Sequence, residues 1–177
     1  KMSKLVNQLL QLSRADRHKE SLHLEEFDLS ELTEMVAEEA QGLAESKAVT
    51  LTAEIEPGIL VKADQTLMMR IWLNLLTNAV KYGRQQGQIW LTLKSDGKNA
   101  VGTVCDDGIG ISAAELPKIW KRFYRVNTAR SSGDDSGTGL GLAMVKWMVE
   151  SHGGTVSAVS TLGAGSTFSF TIPLRPS

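Results

Sequence analysis

The chain has 177 residues, 42% of them hydrophobic, with 19 basic against 20 acidic side chains and a formal net charge of -1. That is enough for one domain of ordinary size with a real core, and it excludes a disordered tail. The near balance of charge gives no global reason to expect nucleic acid or an anionic membrane surface as partner, so any anion must be bound locally. A single cysteine, Cys105, excludes an internal disulfide framework and a cysteine-based zinc site; in a strand-like run it reads as a structural thiol in a reducing compartment. No apolar run approaches the roughly 20 residues that cross a bilayer. The first residues also lack a signal-peptide core, so the chain reads as soluble, although a longer parent could be anchored.

Residues 1–19 place Met2, Leu5, Leu9 and Leu12 at spacings of three and four. This is the narrow seam of a coiled-coil helix that pairs with another helix. Residues 20–27 are polar and read as a linker, and a second unit is expected over 28–177. Asp28 with Glu31 forms a capping pair for a helix carrying Leu32, Met35, Val36, Ala40 and Leu43 on one side. Val49, Leu51, Ala53 and Ile55 then alternate up to Pro57-Gly58, a strand and turn signal. The alternation returns at Ile89, Leu91 and Leu93 and at Phe168, Phe170 and Ile172, and AVGTVCD and GTVSAVS add further strands. Three helical stretches lie between them: a long one through Asn74, a short one opened by Ser112 and Glu115, and GLAMVKWMVESHG with Leu140, Met144, Trp147 and Met148. One amphipathic sheet covered by helices on one face is the economical arrangement. SSGDDSG reads as a polar, mobile loop.

Three stretches carry chemistry. In RIWLNLLTNAVKYG, Asn74, Asn78 and Lys81 fall at i, i+4 and i+7, a polar stripe on one side of an apolar helix. A carboxamide offers a neutral hard oxygen that suits magnesium without repelling phosphates, and a lysine adds a point charge for phosphate. A structural stripe facing a polar cavity would look the same. In CDDGIGI, a carboxylate at a strand end can accept a hydrogen bond from an exocyclic amine, and Gly108 and Gly110 permit close backbone approach; a plain Asp-Gly turn explains DDG equally well. In SGTGLGLAMVKWMVE, glycines run straight into a helix, which aims backbone N–H groups and the positive helix end at an anion; glycines that serve only a turn would look the same.

Together and in this order, the three resemble the N, G1 and G2 boxes of the sensor histidine kinases. IWKRFYRV is similar to that family's F box, GAGSTFSFTIPL to its closing hairpin, and KMSKLVNQLLQLSRAD to the end of the second helix of its dimerisation and phosphoacceptor hairpin. The resemblance covers essentially the whole chain. It implies the Bergerat ATP-binding fold of the gyrase, Hsp90 and MutL superfamily: an α/β two-layer sandwich with a mixed sheet covered on one face by helices. Residues 28–177 would be the catalytic ATP-binding domain and 1–19 the remnant of the dimerisation helix.

Carried over by motif position, the resemblance makes Asn78 the magnesium ligand, with Asn74 in the same phosphate region and Lys81 and Tyr82 lining phosphates and nucleotide. It makes Asp106 the acceptor for the adenine amino group, with Gly108 and Gly110 letting the backbone pass the base. Gly137, Thr138, Gly139, Leu140 and Gly141 match the turn over the phosphates, and Thr167 the strand threonine that holds adenine through water. Arg122, Arg125 and Arg130 lie in or beside the lid, where they could reach the γ-phosphate or simply be solvated. Two departures stand out: Trp120 replaces the usual F-box phenylalanine, and Asp134 and Asp135 lie near the phosphate turn.

No H box is found around His18, His23 or His152, so no catalytic residue is assigned, and the chain reads as the C-terminal part of a longer kinase that is inactive alone in autophosphorylation. The implied cofactors are ATP and Mg²⁺. The implied partners are the parent's own dimerisation domain and a response-regulator receiver domain, with no nucleic acid, in the cytoplasm of a parent anchored in the bacterial membrane. Three alternatives compete: a serine/threonine kinase of the anti-sigma-factor type, a non-catalytic interaction module with a vestigial pocket, and a strand-passing or mismatch-repair ATPase domain.

Overall fold

The computed structural model of the protein describes residues 22–121 and 141–175, and the first helix among those residues begins at a carboxylate that caps it. Asp28 is extended, and its side chain accepts from the N–H groups of Ser30 at 2.8 Å and Glu31 at 3.3 Å at the start of α1, Leu29–Ser46. Those N–H groups have no partner within the helix, so the cap supplies one. Leu32, Val36 and Ala40 are buried as expected, but Met35 is 62% exposed and Leu43 36%. The buried stripe is completed instead by Leu29, Ala37 and Ala44. Met35 is turned about 100° from Val36, which takes it off that stripe.

Part of the polar stretch read as linker is a strand. Glu25–Asp28 forms β1 and pairs antiparallel with β3, Leu60–Ala63, placing Phe27 opposite Val61. Four residues are too few for alternation to mark either strand. The segment before β1 is tied down as well, because the His23 N–H donates to Asp64 Oδ2 at 3.1 Å.

The main sheet holds β2 (Thr50–Ile55), β4 (Gln88–Ser95), β5 (Asn99–Asp106), β6 (Val156–Thr161) and β7 (Gly165–Pro173), in the order β2-β4-β5-β7-β6. β2 runs parallel to β4 and every other pair is antiparallel. The parallel pair requires a crossover, and α2, Gln65–Tyr82, lies within it. Ala53 is exposed despite its alternation, on a strand at the sheet edge.

The core lies between one sheet face and the helices. Ile89, Leu91, Leu93, Val104, Phe168 and Phe170 meet Met68, Ile71, Trp72 and Leu75 of α2 and Met144 and Met148 of α3, Gly141–Ser151. Trp72 stands edge-on to Phe170 with centroids 4.9 Å apart, a favoured aromatic geometry. Both rings close over Gly102, where an added Cβ would come within 2.4 Å of Phe170. Among the described residues no helix covers the opposite sheet face, where Trp90 is 37% exposed and Val159 69%. A two-layer α/β sandwich with a mixed sheet is therefore what the chain builds.

One expectation changes after β5. The stretch after Ser112 is a three-residue 3-10 turn, Leu116–Lys118, rather than an α-helix, with Pro117 inside it; proline lacks the N–H that a longer helix would need. His152, just past α3, has both ring nitrogens engaged: Nδ1 with the Met148 carbonyl at 2.7 Å, and Nε2 with the Asp64 N–H at 3.0 Å. It joins the end of α3 to the start of α2, and burial pushes its pKa down. Among the described residues no helix is long and apolar enough to cross a membrane. The residues of the expected coiled-coil seam, 1–19, lie outside the described residues.

Candidate functional site

β5 ends at Asp106, whose phase puts it on the core face with Ala100, Gly102 and Val104, and it is only 6% exposed. A carboxylate there needs hydrogen bonds. Its Oδ1 accepts from the Gly108 N–H at 2.8 Å. Burial pushes its pKa up; the backbone N–H groups of Gly108 and Ser166 oppose that rise, and the charge of Asp107 adds to it. An ionised carboxylate has about four lone-pair sites. Two backbone donors therefore leave it able to accept from a ligand.

The turn that follows is wedged between two other segments. Gly108 lies under the C-terminus of α2, where a Cβ would come within 2.2 Å of the Tyr82 carbonyl and 2.9 Å of Asp106 Oδ1. Ile109 N–H donates to that same Tyr82 carbonyl at 3.2 Å. On the other side Gly110 takes φ +73° and approaches the β6–β7 hairpin, where a Cβ would lie 2.1 Å from the Thr161 carbonyl. Close approach is thus demanded by the protein's own backbone at both glycines. The Ile111 N–H donates to Ser160 Oγ at 2.7 Å, and Ser160 Oγ lies 2.8 Å from Ser166 Oγ, which fastens the far end of the turn to the two hairpin strands.

α2 also reaches the third stretch. Asn74 Nδ2 donates to the Gly141 carbonyl at 3.4 Å, bridging mid-α2 to the first residue of α3. Asn78, one turn on, is half-buried; Lys81 is exposed, with its ammonium 5.5 Å from the Tyr82 ring centroid. One helix therefore meets the carboxylate turn at its C-terminus and the start of α3 at its middle. The three chemistry-bearing stretches form one neighbourhood.

Comparison with known proteins agrees with this arrangement. Residues 63–176 match the family described as histidine kinase-, DNA gyrase B- and HSP90-like ATPase. The chain belongs to that family. Within it the chain is similar to sensor histidine kinases: 38% identical to TmoS of Ectopseudomonas mendocina over 97% of this chain and 18% of that protein, and 36% identical to the circadian input-output kinase CikA of Synechococcus elongatus over 96% of this chain and 23% of that protein. The chain thus spans less than a quarter of either relative. Among solved structures, full-length ShkA in complex with AMPPNP superposes with a TM-score of 0.84 at 30% identity, covering 98% of this chain and 36% of that one. The mycobacterial sensor histidine kinase MprB gives 0.75 at 28% identity, covering 86% of this chain and all of that one. The domain is an ATP-binding domain of the histidine kinase type.

Against the family's motifs, one position moves. Thr167 pairs with Cys105 across β7 and β5, and its Oγ1 donates to Cys105 Sγ at 3.1 Å. Asp106 is in the other phase, paired with Ser166. Thr167 therefore lies on the sheet face turned away from Asp106, and Ser166, 7% exposed, is the hydroxyl residue beside the carboxylate. The alternation of Phe168, Phe170 and Ile172 on the core face held the signal, since it puts residue 166, not 167, in phase.

Trp120 is half-buried and packs edge-on against Phe168 with centroids 6.0 Å apart. The start of the F box is thereby held on β7 by an aromatic contact despite its departure from phenylalanine. Arg122, Arg125, Arg130, Asp134, Asp135, Gly137, Thr138, Gly139 and Leu140 lie outside the described residues; Gly141 is the first residue of α3. Sequence reasoning missed Ser160 and Arg84, which stand in no motif, and Ser166, which lies in the hairpin segment GAGSTFSFTIPL beside the threonine singled out there.

Proposed function

We propose that this domain binds Mg·ATP between α2, the Asp106–Gly110 turn and the start of α3, and donates the γ-phosphate to a histidine of the parent kinase's dimerisation domain, for relay to a response-regulator aspartate. The observation that carries the reading is Asp106, a buried carboxylate at a strand end with acceptor capacity left over. It would accept the hydrogen bond of the adenine amino group. Ser166 would support that end of the base in place of Thr167, Gly108 and Gly110 would hold the turn, and Tyr82 would line the nucleotide. Lys81 and the backbone of the Gly137–Gly141 stretch, with Thr138, Gly139 and Leu140, would meet the phosphates. Arg122 and Arg125 would add charge from the lid.

The donor set also bears on the metal. Among the described residues no three His, Cys, Asp or Glu side chains gather into a group that could hold an ion. A half-buried amide such as Asn78 suits an ion that arrives with phosphate oxygens already on it, as magnesium does. When bound, the ion would neutralise phosphate charge. Asn74 keeps α2 and α3 together, so the amides and the phosphate turn would be presented as one surface; transfer would rest on positioning and charge neutralisation.

Asn78→Ala is accordingly expected to abolish most of the gain in nucleotide affinity that Mg²⁺ gives, while leaving metal-free binding within about twofold. Titration of both proteins with and without Mg²⁺ measures this, and an undiminished magnesium effect would remove Asn78 from the metal site. The transfer step is tested on the full-length parent with γ-labelled ATP. Acid-labile, alkali-stable label is the expected result; acid-stable label would favour the serine/threonine kinase reading, and no label the interaction module.

A further inference from the structure

Arg84 stands in the loop after α2, outside every motif, and makes contacts that the nucleotide reading leaves unused. Its Nε donates to the Asp107 carbonyl and its Nη2 to the Gly163 carbonyl, each at 2.5 Å. The first carbonyl belongs to the residue after Asp106. The second belongs to the β6–β7 hairpin, at a residue whose own N–H donates to the Ile109 carbonyl at 2.7 Å. One guanidinium therefore spans the carboxylate turn and the hairpin that the turn leans on.

The loop carrying Arg84 is itself fixed. The Arg84 carbonyl accepts from the Gly87 N–H at 2.9 Å, and the Asp107 carboxylate accepts from the Gln88 N–H at 2.9 Å. A cavity of about 470 Å³ lies beside this contact, bounded by Gly83, Gly108, Ile109, Leu162 and Gly163 as well as Arg84. Packing on that side is thin, so the turn has room to shift if the guanidinium is removed. A lysine would substitute only in part, because a single ammonium lacks the planar fork that bonds two acceptors in fixed geometry.

We propose that Arg84 is a positioning residue for base recognition: by bridging Asp107 and Gly163 it holds the Asp106 carboxylate where a purine 6-amino group can meet it. The proposal rests on the reading of Asp106 as the acceptor for adenine. It concerns a side chain that touches neither base nor phosphate, acting through the backbone of the turn.

The test compares AMPPNP with the corresponding analogue of purine riboside triphosphate, which lacks the 6-amino group, by calorimetric titration of wild type, Arg84→Ala and Arg84→Lys. Wild type is expected to prefer AMPPNP about tenfold, the worth of one hydrogen bond to a charged acceptor. In Arg84→Ala the preference should fall to about twofold, mainly through weaker AMPPNP binding, with Arg84→Lys between the two. General loosening of the fold would weaken both nucleotides equally, so an unchanged preference overturns the proposal even if affinity drops. If Arg84→Ala does not fold, Arg84→Lys decides: a preference equal to that of wild type overturns the bridging role. A wild type with no preference for the 6-amino group would instead defeat the reading of Asp106.

Discussion

Asp106→Ala is expected to weaken adenine nucleotide binding by roughly ten- to a hundred-and-fiftyfold, since a hydrogen bond to a buried charge contributes about 1.5–3 kcal/mol and its loss leaves the adenine amine unpaired. The fold should survive the change. Burial of this carboxylate raises its pKa, so its ionised form is held at a desolvation cost that alanine removes. Calorimetric titration together with thermal unfolding checks both halves, and unchanged affinity in a normally folding variant would take Asp106 out of the site.

Acidification carries the same signature. Only the ionised carboxylate accepts without donating, and the raised pKa means that it is protonated at a higher pH than an ordinary aspartate near 3.8. Adenine affinity should therefore fall as pH is lowered through that raised pKa. Stability behaves oppositely. Between the unfolded pKa and the raised folded one the native state binds more protons, so this group's contribution to stability diminishes as pH rises across that window.

Gly110→Ala is expected to cost about 2–4 kcal/mol of stability and to abolish tight nucleotide binding, from two separable causes. The first is backbone conformation: φ is +73°, where an L side chain is strained by about 1 kcal/mol. The second is contact, because the Cβ would lie 2.1 Å from the Thr161 carbonyl, and a backbone oxygen paired in a hairpin cannot swing aside as a side chain can. Gly97 supplies the control, with φ +95° and nothing within 4 Å of its Cβ. Gly97→Ala should therefore show the conformational cost alone. Urea unfolding of both variants measures the difference, and equal losses would mean that the wedge between turn and hairpin carries no weight.

Much of this was legible before any coordinates. The long strands announced themselves by alternation, as at Ile89, Leu91 and Leu93, because each has one buried face and period two survives over eight residues. The cap at Asp28 was legible for a local reason, since the side chain satisfies donors two and three residues away. β1 and β3 escaped because four-residue strands hold two residues per face, and their pairing joins Glu25 to Ala63 across the chain. Within the site, Asp106 and the asparagines stood in motifs whose spacing reflects a single element. Ser166 lay within the hairpin segment, but its face depends on strand phase carried over from Phe168 and Phe170, and Arg84 stood in no motif, its partners lying 23 and 79 residues away. Long-range backbone contacts leave no periodic trace in a sequence.

The central claim is that the neighbourhood of α2, the Asp106 turn and α3 is a magnesium-dependent adenine nucleotide site. It is tested most directly by calorimetric titration of this domain with AMPPNP, with and without Mg²⁺, using a GTP analogue as competitor. Saturable binding that strengthens with Mg²⁺ and resists the guanine competitor is the predicted result. Absence of binding by a folded domain would contradict the account and leave the interaction module as the function to pursue.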